Sequence, residues 1–170
     1  MRDSTVGPGE RAAIIDIYNA YAEGVDSKNW EMVRQCFADE IYVDYGATSA
    51  ATGAPDEPRN ADDWIAVLQS VINGFDYTRH TITNHRFWRD GQRIVCRAYL
   101  TADHVILANP DDTAAQPDEI ATVVGEYTNA CELGDQGWKI RESKREMQWA
   151  RGNGNLFPEA MARAAKLNSD

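Results

Sequence analysis

Histidines lie on predicted strands among apolar residues, where polar side chains are unexpected. His80 shares a strand face with Ile82 and Asn84, because side chains in a strand alternate with a period of two. His85 falls on the opposite face and is expected to be exposed. His104 shares its face with small and apolar residues, namely Cys96, Ala98, Leu100, Ala102 and Ile106. An imidazole in such a setting either transfers protons near neutral pH or serves as a hydrogen-bonded core residue.

Other polar residues lie beside apolar ones at positions that could face the same interior. Asp26 closes the first predicted helix, where the helix dipole disfavours a carboxylate. It either caps the next helix together with Ser27 or has a partner elsewhere in the fold. Tyr45, Tyr127 and Asn129 lie on predicted strand faces. The tyrosines are either core aromatics with one satisfied hydroxyl or contacts to a bound molecule.

The elements that must position these residues are helices followed by long strands. Helical periodicity predicts helices over 10–25, 27–37 and from 60 or 62 to 72. Alternation predicts strands over 41–45, 77–88, 92–108, 119–133 and 138–149. Segment 46–59 has the composition of a loop, and 158–170 that of a short helix with a frayed end. This order predicts one α+β domain over 1–170, with an ordered core of about 9–150 and a tail over 151–170.

Composition restricts the class of protein. The net charge of −10 argues against binding to nucleic acid or to an anionic membrane surface. The longest apolar stretches are too short to span a bilayer, and the polar first ten residues lack a signal peptide's apolar centre. The three cysteines each lie in an apolar run, which indicates buried reduced thiols and a cytoplasmic protein. The histidines lie on separate elements without ligand spacing, so no metal site is expected.

Several segments, taken in order, resemble one known family. They are 11–18, 24–30 (Gly-Val-Asp-Ser-Lys-Asn-Trp), 37–39, 44–45, 79–84 (Arg-His-Thr-Ile-Thr-Asn), 125–129 (Gly-Glu-Tyr-Thr-Asn) and 137–140 (Gly-Trp-Lys-Ile). The chain resembles the SnoaL-like group of the NTF2-like superfamily, which includes scytalone dehydratase, a bile-acid dehydratase and hexachlorocyclohexane dehydrochlorinase. The resemblance implies a cone-shaped α+β barrel, in which a curved, mostly antiparallel sheet and three N-terminal helices enclose an apolar pocket.

The resemblance also implies roles for the polar residues. In the dehydratase and dehydrochlorinase branches an aspartate at the end of the first helix pairs with a histidine, and these positions correspond to Asp26 and His80. Tyr45 and His104 match two further scytalone dehydratase positions, where they would polarise a carbonyl or assist a leaving hydroxyl. Tyr21 matches a tyrosine of the bile-acid enzyme. Substrate contacts are expected from Tyr21, Tyr45, His104, Tyr127 and Asn129.

These correspondences predict a cofactor-free lyase or isomerase that acts on a small, mostly apolar cyclic substrate such as a hydroxy-ketone, steroid or polyketide. His80 would act as general base and Asp26 would orient it. The lysine and arginine of the dehydrochlorinase have no evident counterpart, which disfavours halide elimination. A ketosteroid-type isomerase, epoxide hydrolase or polyketide cyclase is a second possibility. A non-catalytic domain is a third, either a ligand carrier or an assembly subunit like the small subunit of ring-hydroxylating dioxygenases.

Large aromatic residues and arginines also fall on the predicted outer face of the sheet. They are Trp88, Tyr99, Met147 and Trp149, with Arg97, Arg141 and Arg145 beside them. Aromatic residues and arginine together are typical of protein–protein interfaces. The sequence therefore predicts a homo-oligomer, either a trimer or a dimer, with a small-molecule substrate as its other partner.

Overall fold

The computed structural model describes residues 6–50 and 53–167. Helices come first, long strands follow, and a helix is the last of the described elements. The elements in order are α1 (Pro8–Ser27), α2 (Trp30–Gln35), β1 (Phe37–Asp44), α3 (Ala47–Ala50), β2 (Arg59–Asn60), α4 (Ala61–Ile72), β3 (Tyr77–Asp90), β4 (Arg93–Val105), β5 (Ile120–Gly134), β6 (Gly137–Gly152) and α5 (Leu156–Leu167). A single 3-10 turn, Pro117–Glu119, precedes β5.

The strands form one curved, open sheet in the order β2-β1-β6-β5-β4-β3. Strands β3 to β6 are consecutive antiparallel neighbours, whereas β1 pairs in parallel with β6. The α+β class and the NTF2-like architecture predicted from the sequence are therefore confirmed, although the sheet does not close into a complete barrel. Strand β3 is one edge of the sheet, and this position matters for the site described below.

Helices α1 and α4 pack their apolar faces against the concave side of the sheet. The buried residues of α1 recur at three- and four-residue spacing, as Ile14, Tyr18, Tyr21 and Val25. Helix α4 buries Trp64, Ile65, Leu68 and Ile72 in the same way, and Asn60 caps it by accepting a hydrogen bond from the backbone of Asp62. Both helices contribute to one large core cluster.

The C-terminal helix packs more tightly than a frayed tail would. Leu156 and Ala160 of α5 join Phe75, Ile106 and Ala121 in a second, smaller core cluster. Gly74 permits this contact, because a Cβ at that position would lie 1.8 Å from the carbonyl oxygen of Ala160. The predicted short helix therefore begins at Leu156 and is anchored on the end of α4.

Two local predictions were wrong for reasons that the structure makes plain. Asn29 caps α2 by accepting from Met32 N, so neither Asp26 nor Ser27 has that role. Ser27 instead ends α1 and donates to the carbonyl of Glu23. Segment 46–59, predicted to be a loop, includes the short helix α3 and the first residue of β2.

Irregularities interrupt the strand pairing, and one of them lies in β1 between Phe37 and Tyr42. Strand β3 has one extra residue between Thr83 and Arg86, where Asn84 adopts a left-handed conformation with φ 57°. Strand β6 has two extra residues, Arg141 and Gln148, each of which has no pairing partner on β5. Each extra residue reverses which side chains of the following segment face the core, because the side-chain period is two.

The cysteines behave as core residues. Cys36, Cys96 and Cys131 are buried and unpaired, as predicted. Burial raises the pKa of the Cys36 thiol to about 11. Within residues 6–50 and 53–167, no helix is both long enough and apolar enough to cross a membrane.

Candidate active site

A carboxylate and an imidazole form the most closely connected polar pair in the interior. Asp26 Oδ1 lies 2.7 Å from His80 Nδ1. The two side chains are only 10% and 6% exposed. The same carboxylate accepts hydrogen bonds from Thr78 Oγ1 at 2.8 Å and from the backbone N–H of His80 at 2.9 Å. Asp26 is thus bound to β3 by three hydrogen bonds, and the pairing expected from the resemblance is present in the geometry.

The position of β3 at the sheet edge explains why this pair forms. An edge strand presents backbone N–H groups that have no partner in the sheet. The carboxylate at the end of α1 satisfies one of them, that of His80, and this contact sets the distance between the helix and the strand. The same hydrogen bonds offset the unfavourable position of Asp26 at a helix C-terminus.

The ionisation of Asp26 fixes the tautomer of His80. Burial alone raises the pKa of Asp26, but the hydrogen bonds from the His80 ring and backbone and from Thr78 outweigh it, so this pKa lies below its ordinary value. An ionised carboxylate only accepts hydrogen bonds, so His80 Nδ1 carries a proton, and in the neutral ring Nε2 holds the lone pair. His80 therefore has one free basic nitrogen.

His80 lines a cavity of about 230 Å³ between the sheet and the helices. Most of the lining is apolar, and the polar groups are few. The apolar part comes from Val25, Leu68, Val71, Ile72, Leu100, Ala102, Val123, Met147 and Phe157, and the polar part from Tyr21, Tyr45, Thr48, His80, His104, Tyr127 and Arg145. An apolar cavity with a few converging polar groups is the usual form of a small-molecule site. Other surface hollows are larger, but they do not include the Asp26–His80 pair.

His104 is the second histidine of the cavity, and it is held neutral. It is 5% exposed, and its ring lies 5.7 Å from that of His80 and between Phe75 and Phe157. Burial, with a smaller contribution from nearby His80, lowers the pKa of His104 to about 4. Its Nδ1 lies 3.3 Å from the carbonyl oxygen of Ala121. A carbonyl cannot donate, so Nδ1 is protonated and Nε2 is an acceptor.

This tautomer favours one of the two roles expected of His104, assistance to a leaving hydroxyl. A neutral ring whose only proton is donated to Ala121 cannot polarise a substrate carbonyl. It can accept a hydrogen bond from a substrate hydroxyl or from a water molecule.

Three tyrosines form one wall of the cavity. The ring of Tyr127 lies 5.9 Å from that of Tyr21 and 5.8 Å from that of Tyr45. Burial, followed by the neighbouring hydroxyls of Tyr127 and Tyr45, raises the pKa of Tyr21 well above its usual value. Burial also raises the pKa of Tyr45 and of Tyr127. All three therefore remain protonated and able to donate hydrogen bonds near neutral pH.

A hydrogen-bond chain behind the tyrosines fixes one of them. Ser143 Oγ donates its proton to Asn129 Oδ1 over 2.8 Å. The hydroxyl oxygens of Tyr45 and Ser143 lie 3.0 Å apart, and because the serine proton is already used, Tyr45 is the donor to Ser143. The hydroxyl proton of Tyr45 is thereby engaged. The hydroxyls of Tyr21 and Tyr127 form hydrogen bonds with each other and with Tyr45. Asn129 does not line the cavity. It acts through Ser143, a residue that the sequence pattern did not single out.

Comparison with known proteins agrees with this architecture. Residues 9–144 match the SnoaL-like domain family over most of the chain. The chain belongs to the SnoaL-like domain family. No curated protein matches it significantly in sequence. The resemblance stated from the sequence motifs is therefore confirmed at the level of the family.

Solved structures share the fold of this SnoaL-like domain along nearly its whole length. The Kfla4162 protein of Kribbella flavida has 24% identity, with 92% of this chain and 97% of that chain covered and a TM-score of 0.70. A candidate scytalone dehydratase of Novosphingobium aromaticivorans has 18% identity, coverage of 85% and 92%, and a TM-score of 0.64. The type 3 hexachlorocyclohexane dehydrochlorinase LinA of Novosphingobium barchaimii has 16% identity, coverage of 86% and 91%, and a TM-score of 0.64. At these identities the similarity establishes the fold.

The SnoaL-like domain also places an unexpected arginine in the cavity. The sequence pattern put Arg145 and Met147 on the outer face of the sheet, but both line the cavity. The extra residue at Arg141 reverses the facing of the next segment, so Arg145 pairs with Tyr127 and shares its inner face. The cavity therefore contains a cation that the sequence did not predict. Tyr99 and Trp149 remain exposed.

Two further predictions about β3 of the SnoaL-like domain were wrong, and the irregularity at Asn84 explains both. Asn84 does not share the inner face with His80, because it is the exposed, left-handed residue of the bulge. His85, expected to be exposed, is half-buried, and its ring contacts Tyr18 edge-on and stacks on Phe87. His85 does not line the cavity.

Over residues 6–50 and 53–167, no group of three or more His, Cys, Asp or Glu side chains is arranged to hold a metal ion. Among the residues that line the cavity, His80 can transfer a proton, and the tyrosines and Arg145 can donate hydrogen bonds.

Proposed function

We propose that this SnoaL-like protein is a lyase of the dehydratase type, which eliminates water from a small cyclic hydroxy-ketone. The observation that carries the proposal is the Asp26–His80 pair. Asp26 engages Nδ1 of His80, which leaves Nε2 as the free nitrogen, and His80 lines the apolar cavity. A buried histidine oriented by a carboxylate is a standard general base. The names of two structurally similar proteins, a candidate scytalone dehydratase and a dehydrochlorinase, refer to eliminations and support this class.

The reaction begins with removal of a proton from carbon. Nε2 of His80 accepts a proton from the carbon next to the substrate ketone, and the electrons of that C–H bond form an enolate. The negative charge of Asp26 stabilises the imidazolium that results. Tyr21 or Tyr127, whose hydroxyls both remain protonated, stabilises the enolate by turning its O–H from the neighbouring tyrosine to the ketone oxygen.

The second half of the reaction releases water. The enolate electrons form the new C=C bond as the C–O bond to the β-hydroxyl breaks. The imidazolium of His80 returns its proton to the leaving oxygen, so water departs and His80 is again neutral. The same group acts first as base and then as acid, which requires the departing proton and hydroxyl to lie on one face of the substrate ring. No cofactor is needed for these steps.

The cavity volume favours a small substrate. A volume of about 230 Å³ corresponds to roughly eight water molecules at about 30 Å³ each. This space suits one ring with small substituents better than the four fused rings of a steroid. Among the substrate classes predicted from the sequence, single-ring hydroxy-ketones and phenolic compounds therefore fit best.

A turnover screen tests the proposal. Wild-type protein and His80→Gln are incubated with single-ring β-hydroxy-ketones, and mass spectrometry detects loss of one water from the substrate. A general base contributes about 10²–10⁴-fold to a rate, so the His80→Gln variant should lose turnover by that factor.

His85→Gln is the matched control, because His85 is on the same strand but does not line the cavity. It should retain wild-type turnover. Equal turnover by wild type and His80→Gln would refute the assignment of His80. Binding without turnover by the wild type would favour the alternative of a ligand-binding domain.

A further inference from the structure

Among the described residues that line the cavity, Arg145 is the one cationic side chain beside the two histidines. It is half-buried, and Nη2 donates to Thr48 Oγ1 at 3.1 Å. Its guanidinium carbon lies 4.8 Å from the centre of the Tyr45 ring. The stacking contact and the hydrogen bond together hold the planar group in one orientation at the cavity wall.

The charge of Arg145 has no carboxylate partner among residues 6–50 and 53–167. The ion pairs of that part of the chain involve other arginines, lysines and His80. Asp26, the carboxylate beside the cavity, is engaged by His80 and Thr78. The absence of a partner is notable in a chain with 27 acidic residues and a net charge of −10.

An unpaired cation in an apolar cavity favours an anionic ligand. Taking a guanidinium partly out of water is costly unless a counter-ion compensates it. The guanidinium has five N–H donors in a fixed planar arrangement, of which one is used by Thr48. This arrangement matches a carboxylate, which accepts two parallel hydrogen bonds from arginine.

We propose that Arg145 is a specificity-determining residue that binds a carboxylate on the substrate. The ligand that fits is a single ring with a carboxylate at Arg145 and a hydroxyl that donates to Nε2 of His104. The identity of the substrate as a cyclic hydroxy-keto acid rests on the proposed lyase function. The anion site itself is independent of turnover and is tested by binding.

Calorimetric titration with benzoate and with benzamide tests the anion site. Benzoate carries a carboxylate on one ring, and benzamide has nearly the same shape without the charge. Loss of charge-assisted hydrogen bonds should weaken benzoate binding to Arg145→Met roughly 10- to 100-fold relative to wild type. Benzamide should bind wild type and Arg145→Met equally.

Arg97→Met is the matched control, because Arg97 lies on the opposite face of the sheet and pairs with Glu126. It removes one positive charge without touching the cavity and should leave benzoate binding unchanged. Arg145→Lys keeps the charge but not the planar donors, so it should bind benzoate with an affinity between wild type and Arg145→Met. Circular dichroism of each variant establishes that it is folded.

The outcomes separate this proposal from the lyase proposal. Equal benzoate affinity in wild type and Arg145→Met, or no benzoate binding by folded wild type, would overturn the carboxylate site. Turnover of hydroxy-keto acids that does not depend on Arg145 would leave the lyase function standing and overturn the specificity role. Benzoate binding that depends on Arg145, without turnover of any hydroxy-ketone, would support the anion site while the lyase function fails.

Discussion

Replacement of Asp26 by asparagine should reverse the tautomer of His80 while the fold remains intact. The asparagine oxygen can still accept from the backbone N–H of His80, which places its NH₂ group where Oδ1 now accepts from the His80 ring. That NH₂ can only donate, so the proton of His80 must move from Nδ1 to Nε2. The hydroxyl of Thr78 can rotate and act as an acceptor.

The magnitude follows from what the substitution removes. A base whose free nitrogen is protonated cannot take a proton from carbon, so Asp26→Asn should lower turnover by about 10²–10⁴-fold, as much as loss of the base itself. A hydrogen bond to a charged group contributes about 1.5–3 kcal/mol to stability. In Asp26→Asn at least one such bond becomes a hydrogen bond between neutral groups, so the free energy of unfolding should fall by about 1–3 kcal/mol.

Nitrogen-15 NMR of labelled histidine measures the tautomer directly and needs no substrate. The chain has three histidines, so His85→Gln and His104→Gln assign the spectrum completely. The wild type should show His80 protonated at Nδ1 and Asp26→Asn should show it protonated at Nε2. A wild-type His80 already protonated at Nε2, or a tautomer that does not change in Asp26→Asn, would refute this reasoning.

Two further predictions concern stability. Because the pKa of His104 is lowered to about 4 in the folded protein and is 6.5 in a free histidine, the unfolded state binds more protons between these values. The free energy of unfolding should therefore fall as the pH decreases from 6.5 towards 4, and His104 should account for up to about 3 kcal/mol of this fall. In His104→Gln, urea unfolding at the same pH values should show a fall that is smaller by this amount. Gly74→Ala should lower the melting temperature and destabilise the protein by about 1–3 kcal/mol, because the new Cβ would collide with Ala160. Gly154→Ala, where a Cβ meets nothing within 4 Å, should not. Equal melting temperatures for the two alanine variants would contradict the packing account of α5.

Much of the fold could be predicted from periodicity, because long amphipathic segments leave little choice. The helix predicted from 60 or 62 to 72 is α4, and the strands predicted over 77–88 and 92–108 are β3 and β4, which pair as antiparallel neighbours. The pairing of Asp26 with His80 was expected from family resemblance alone. Spacing in the chain does not indicate that the end of α1 meets the edge strand β3.

The facing of residues beyond the bulges could not be predicted. Alternation continued from Ile140 puts Arg145 on the outer face, and only the extra residue at Arg141 turns it inward. Nothing in the local sequence marks that position. The same limit applies to His85, since Asn84 in a left-handed conformation is a property of the folded strand. The roles of His104 and Tyr45 depend on which neighbours take their protons, and that is visible only in three dimensions.

The most direct test of the central claim is proton exchange at carbon. His80 is proposed to remove a proton next to a ketone, so wild-type protein in heavy water should introduce deuterium at that carbon of a single-ring β-hydroxy-ketone, and His80→Gln should not. Mass spectrometry of the recovered ketone measures the exchange. Exchange that requires His80 would establish it as the base. Equal exchange in both proteins, or none in either across the set of ketones, would contradict the account.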